Sequence, residues 1–263
     1  MTMIEAHLPD NWQDLENRVA QILMECGYEV QVQRNVSLAR GDACIDVWAD
    51  DHSSPQNIIA VECKHWARPA TKSVVHAFRT VVGDSGANTG LLVSSAGFQE
   101  GAIRAADYSN VRLLDWNEFQ SMFAIRWFKT HMSPTLAECT DALHEYTELV
   151  NSRIFRKANT LSIELQEQFV ILRRRHWPLA VLNLTLRPEF GELLRGERLR
   201  PDQSPWPSLP LRANSQTSSE IDYNENLPDD VLDATALRPF MDTLVEHSQR
   251  AISEFDELFG ERA

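Results

Sequence analysis

The sequence predicts an α/β domain, a mixed sheet flanked by helices, followed by a mostly helical C-terminal region. Three observations predict it. Runs of period-two alternation recur before residue 65. Apolar residues spaced by three and four mark helices on either side of them, and past His131 the pattern turns to long helical periodicity.

In chain order, Trp12, Leu15, Val19, Ile22, Leu23 and Cys26 share one helical face, with Asp10 or Asn11 as the cap and Gly27 as the stop. Glu16 stands at the rim of that face. Tyr28 to Asn35 alternates as a first strand, and Ser37 to Asp42 reads as a turn carrying Arg40. Two further runs, GDACIDVWAD from Gly41 and IIAVECK from Ile58, flank the polar segment DHSSPQN and form a hairpin-like pair. Strict alternation sets Cys44, Asp46 and Trp48 on one face of the first run and Ala43, Ile45, Val47 and Ala49 on the other. In the second run Ile58, Ala60, Glu62 and Lys64 share a face, opposite Ile59, Val61 and Cys63.

Thr71 to Asp84 predicts a helix with Val74, Val75, Phe78, Val81 and Val82 inward and His76 outward. NTGLLVSS, residues 88–95, is continuous enough to be a strand buried on both faces. A helix over Phe98–Tyr108, a short strand over Val111–Leu114, and a helix opened by Asp115 with Phe119 and Met122 inside complete the domain near residue 130.

Charged groups inside apolar strands are costly to bury unless they are paired, solvated or bound to a metal. A cleft supplies all three. Two carboxylates on adjacent strands, Asp46 and Glu62, offer oxygen ligands to a hard divalent cation. An ammonium beside them, Lys64, stabilises developing negative charge or orients a water. The chemistry implied is hydrolysis of a phosphodiester.

The pattern GDxxID (Gly41, Asp42, Ile45, Asp46) followed by VECK (Glu62, Cys63, Lys64) resembles the PD-(D/E)XK nuclease superfamily, most closely its Mrr-like restriction endonuclease branch. The preceding helix, both strands, the following helix and TGLLVSSAGFQEGA occur in the order this family uses, so the resemblance spans about Leu15 to Phe119. It implies a restriction-endonuclease-like fold and a Mg2+-dependent DNA endonuclease, with Mn2+ as an alternative ion, working in bacterial restriction or defence against foreign DNA. Asp46, Glu62 and the Cys63 backbone carbonyl then hold the metal, and Lys64 positions the attacking water or the phosphoryl oxygens. Glu16 is either the auxiliary first-helix carboxylate of this family or a solvated rim acid. Arg40, Arg68 and Lys72 are candidate DNA contacts, each also readable as a solvated side chain, and His65 and Trp66 beside them suit phosphate contact and stacking. Rival readings are a junction resolvase or repair nuclease on the same fold, and a scaffold that binds DNA or a protein without cutting.

The formal net charge of −13 works against tight binding of a polyanion. It is unevenly spread. Residues 1–130 carry 11 basic and 16 acidic side chains, residues 131–210 carry 10 of each, and residues 211–263 carry 4 and 12. Activity is therefore expected to depend on a partner, an oligomer or an activated state. No run approaches ~18 consecutive apolar residues and the start lacks a signal-peptide pattern, so a cytoplasmic protein with no membrane contact is expected. Cys26, Cys44, Cys63 and Cys139 show no metal-ligand spacing and read as reduced core thiols.

Past residue 130, Leu136, Cys139, Leu143, Tyr146 and Val150 mark one helix; Leu161, Leu165, Phe169, Ile171 and Leu172 mark another, ending at Arg173–Trp177. The three arginines there read as complements to the helix dipole, or else as a phosphate-binding patch. Residues 131–198 thus form a helical region and 199–230 an irregular linker or arm; a last helix of about Val231 to Phe259 suits a partner or a second copy of the chain.

Overall fold

The computed structural model describes residues 3–38, 41–52, 55–187, 204–214 and 227–260. They divide into two compact units, His7–Thr130 and a second made of Met1–Ala6 with His131–Ala263.

In the first unit, helix α1 (Trp12–Glu25) begins at Asn11, whose side chain accepts the Asp14 N–H at 3.0 Å, and Gly27 follows it at φ +83°. Strands β1 (Glu29–Leu38), β2 (Gly41–Asp51) and β3 (Asn57–Lys64) form an antiparallel meander. Helix α2 (Lys72–Ser85) then crosses to β4 (Thr89–Ser94), which lies parallel to β3. A short α3 (Glu100–Ala106) leads to β5 (Val111–Leu114), parallel to β4, and α4 (Trp116–Trp127) follows from a capping box formed by Asp115 and Glu118. The sheet order is β1-β2-β3-β4-β5.

Helices α1 and α4 pack together on one side, and α2 packs with α3 on the other. The first side buries Leu15, Val19, Ile22 and Leu23; the second buries Val75, Phe78 and Val82 against Ala60 and Leu92. Strand β4 is buried from Gly90 to Ser94, as its continuous apolar run requires. Arg126 ties α4 to the meander: it donates to the Cys26 carbonyl at 2.7 Å and to Asp51 at 2.9 Å, with its guanidinium 4.1 Å above the Tyr28 ring.

Several boundaries differ from the expectations. Strand β1 runs on to Leu38, because Ser37 and Leu38 pair with Asp42 and Gly41. Helix α3 is shorter than Phe98–Tyr108, and Met122 is half-buried rather than buried. Strict alternation lapses in β2: Ile45 and Trp48 both join the core cluster beneath α2. Opposite this stretch the ladder skips Gln33, at φ +51°, between Val32↔Val47 and Arg34↔Ile45, with the register unchanged on either side. Cys26 and Cys63 are buried thiols, whereas Cys44 is exposed and Cys139 half-buried.

The second unit is helical. Helix α5 (Ser133–Thr147) buries Leu136, Leu143 and Tyr146; Val150 lies beyond its end and is exposed. A short helix α6 (Ser152–Ala158), absent from the expectations, precedes α7 (Ile163–Thr185). Helix α7 does not end at Arg173–Trp177 but continues through Pro178. The arginines therefore cannot complement its own dipole. Arg173 instead donates to the carbonyls of Tyr146, Thr147 and Glu148 at 3.1, 3.0 and 2.7 Å, capping α5 from outside. Residues 204–214 contain helix α8 (Leu211–Asn214).

The expected last helix is two pieces, α9 (Asp229–Asp233) and α10 (Leu237–Phe259). They break where Leu237 and Arg238 give their N–H groups to the carbonyls of Met3 and Ile4, at 2.8 and 2.9 Å. The first residues of the chain thus belong with this unit rather than with the sheet. Among the described residues no helix is long and apolar enough to cross a membrane.

Candidate active site

The antiparallel register of β2 and β3 ends at Val47↔Val61. One residue further, Asp46 and Glu62 no longer pair, and Asp46 Oδ2 accepts the backbone N–H of Cys63 at 2.8 Å instead. The opening of this ladder turns both carboxylates into one space. Glu62 and Lys64, two apart on β3, share a face and form an ion pair, with side chains only 23% and 18% exposed. Lys64 also lies 5.6 Å from the centre of the Trp66 ring.

Glu16 reaches the same place from α1. It is 7% exposed, which sets aside the solvated rim acid. The link is Gln33: its side-chain amide donates to Glu16 Oε2 at 2.8 Å and to Asp46 Oδ1 at 3.3 Å, while its oxygen accepts the Cys44 thiol at 3.1 Å. Neither Gln33 nor Cys44 was a candidate from sequence. Nothing in residue type separates Gln33 from Gln31 in the alternating run; its left-handed backbone, opposite Asp46, singles it out.

Electrostatics mark the site as overloaded with negative charge. Burial pushes Glu62 above the usual carboxylate range, with the Asp46 charge adding to it against the pull of Lys64. Burial raises Glu16 as well; the Gln33 hydrogen bond opposes this and the Asp46 charge adds to it. Lys64 is desolvated too, yet its hydrogen bond to Glu62 and the charges of Glu62 and Asp46 hold it above the usual lysine range. Burial among these acids pushes the Cys63 thiol up.

Among the described residues no group of three or more His, Cys, Asp or Glu side chains is gathered as a metal site. The strands contribute two side-chain carboxylates, and Gln33 occupies Glu16 Oε2. Arg68 and Lys72 are exposed, on the connection after β3 and in the first turn of α2. His65 is half-buried and meets the Pro9 carbonyl at 3.1 Å, and His76 is exposed on α2. Arg40 lies outside the described residues.

Residues 10–123 match the family model of the Mrr catalytic domain, described as a restriction endonuclease. This stretch is an Mrr-like PD-(D/E)XK nuclease domain. No protein of curated description matches the chain. Three solved structures are similar in fold to parts of it. AF1548, a protein of unknown function, is 15% identical at a TM-score of 0.37, over 61% of this chain and 95% of that one. A repair endonuclease from Pyrococcus abyssi is 18% identical at 0.32, over 43% and 50% of the two chains. The MspJI restriction endonuclease in complex with a 27-mer oligonucleotide is 20% identical at 0.28, over 44% and 27%. Asp46, Glu62 and Lys64 all lie within the matched stretch, on β2 and β3 where the two strands stop pairing.

Proposed function

We propose that this protein is a metal-dependent DNA endonuclease that hydrolyses phosphodiester bonds in the cytoplasm, in restriction or defence against foreign DNA. The observation that carries the reading is the convergence of Asp46, on the Cys63 N–H, with the half-buried Glu62–Lys64 pair.

Asp46, Glu62 and the Cys63 backbone carbonyl hold a divalent cation, Mg2+ or Mn2+, with Glu16 as the auxiliary acid. Supporting this are an all-oxygen donor set, suited to a hard ion, and an excess of buried and half-buried carboxylates over the single Lys64. When bound, such an ion supplies a more acidic water and charge neutralisation at the phosphoryl group. Gln33 Nε2 keeps Glu16 and Asp46 in register with each other. Lys64 stays protonated beside Glu62, so its Nζ donates to the attacking water or to a non-bridging phosphoryl oxygen. Water oxygen forms the new bond to phosphorus, the bond from phosphorus to the sugar oxygen breaks, and that oxygen leaves with a proton. Arg68 and Lys72, and Arg40, contact backbone phosphates. Residues 131–263 form the contact for a protein partner or a second copy, which compensates for the acidic balance of the chain.

The test is cleavage of supercoiled, linear and single-stranded DNA by the purified chain and by Lys64→Ala, each with Mg2+ or with chelator. Wild type is expected to nick or cut only with the ion, and Lys64→Ala to lose on the order of 10²-fold or more. Equal cleavage by both proteins, or cleavage that survives the chelator, overturns the assignment.

A further inference from the structure

The helical unit contains a cavity of about 320 Å³ between α7, the start of α9 and α10. Two arginines and two histidines line it: Arg175 and His176 from α7, and His247 and Arg250 from α10. Among the described residues no acidic side chain does. That selection runs against the composition of residues 131–263, where 22 acidic side chains outnumber 14 basic ones. The remaining walls are apolar, with Leu179 on one side and Leu227 and Pro228 on the other.

Carboxylates stand behind the basic groups rather than in the cavity. Glu254 Oε2 is 3.1 Å from His176 Nε2 and 3.4 Å from Arg175 Nη1, and Asp230 Oδ1 is 2.8 Å from His247 Nε2. Burial works against the Asp230 charge, but its hydrogen bond and proximity to His247 hold it below the usual carboxylate range. Each imidazole is thereby fixed in orientation, as a carboxylate behind a histidine commonly does. Glu246 meets Arg250 at 2.7 Å, one helical turn away, with both side chains well exposed. A guanidinium carries five N–H donors in a planar fork, so one carboxylate neighbour leaves each arginine with capacity for an anion.

We propose that this cavity binds a small organic phosphate, with its phosphoryl oxygens on Arg175 and Arg250 and its body on Leu179 and Leu227. A phosphomonoester matches two cationic forks better than a carboxylate does, because it offers three terminal oxygens and close to two negative charges. The cavity volume lies at the small end of ligand sites, which sets the size at about one nucleotide. The assignment also absorbs the cluster at Arg173–Trp177: Arg173 serves the fold by capping α5, while Arg175 and His176 face the cavity.

Calorimetric titration of the full chain in chelator tests it, with adenosine monophosphate, inorganic phosphate and adenosine as probes. Adenosine monophosphate is expected to bind, phosphate more weakly, and adenosine at least ~10-fold more weakly than the nucleotide. Arg175→Gln combined with Arg250→Gln is expected to weaken the nucleotide by ~10-fold or more. Lys64→Ala, in the other unit, leaves it within about twofold. Both arginine side chains are more than half exposed, so the fold survives their exchange; the single variants and their circular dichroism check this. Absence of binding by wild type up to ~10 mM overturns the proposal. So does nucleotide binding that persists in the arginine variant, or that is lost in Lys64→Ala instead.

Discussion

Asp46 accepts the Cys63 backbone N–H at 2.8 Å, one residue beyond the point where β2 and β3 stop pairing. The carboxylate thus does a structural task with Oδ2, standing in for a lost ladder bond, and keeps Oδ1 toward the site. Two substitutions separate these tasks. Asp46→Asn retains an oxygen for the N–H and is expected to fold with wild-type stability while cleavage falls ~10²-fold or more. Asp46→Ala leaves the N–H without that partner and adds a stability loss of about 1–3 kcal/mol. Urea denaturation beside a plasmid assay reads both. Wild-type cutting by Asp46→Asn removes Asp46 from the catalytic set.

Gln33 couples a strained backbone to the same site. Its φ of +51° costs an L residue about 1–2 kcal/mol, which glycine does not incur. Gln33→Gly and Gln33→Ala both remove the amide that bridges Glu16 and Asp46, so each is expected to lose about 10–100-fold in activity. The two differ in stability: the alanine variant is expected to unfold about 1–2 kcal/mol more easily. Identical denaturation midpoints would show that no strain is stored there.

The fold of the nuclease domain was legible because its elements follow local rules. Asn11 and Gly27 bracket α1 as cap and stop, and the run from Gly90 to Ser94 is apolar because both its faces are covered. Asp46, Glu62 and Lys64 were legible for a related reason: charge inside an apolar strand needs a partner. Gln33 was not, since its importance comes from one dihedral angle and from the residue across the ladder. The helical half was read least well. Pro178 inside α7 and the break before Leu237 follow from contacts that periodicity does not encode, such as the N–H groups of Leu237 and Arg238 on Met3 and Ile4.

Gly90 sets how closely α2 approaches the sheet. A Cβ there falls 2.5 Å from Val82 Cγ2 and 3.0 Å from Phe78 Cε1 and Val111 Cγ2. Val82 is β-branched and fully buried, so it has little room to withdraw. Gly90→Ala is therefore expected to destabilise the protein by about 1–3 kcal/mol through overpacking. A denaturation midpoint equal to wild type would mean that α2 can move outward at no cost.

The raised proton affinity of Glu16 sets a stability dependence on pH in the metal-free protein. Burial favours its neutral form, and the Asp46 charge adds to this more than Lys64 subtracts. The folded chain therefore holds this proton more tightly than the unfolded chain, whose value is near 4.5. Between the unfolded and the folded values the native state binds more protons, so stability falls as pH rises through that window and then levels off. Glu16→Gln abolishes the effect while leaving Gln33 an oxygen to bond. In chelator, the variant is expected to gain no pH-dependent advantage below the unfolded value and to outlast wild type in urea by a margin that grows as pH rises above it and then levels off. Added Mg2+ narrows the margin, because an ion held by the ionised acids stabilises wild type more than a variant that keeps Asp46 and Glu62 but lacks the auxiliary carboxylate. A margin that shrinks with rising pH in chelator would mean that Glu16 is comfortable as an anion, and that the site carries no surplus charge for an ion to neutralise.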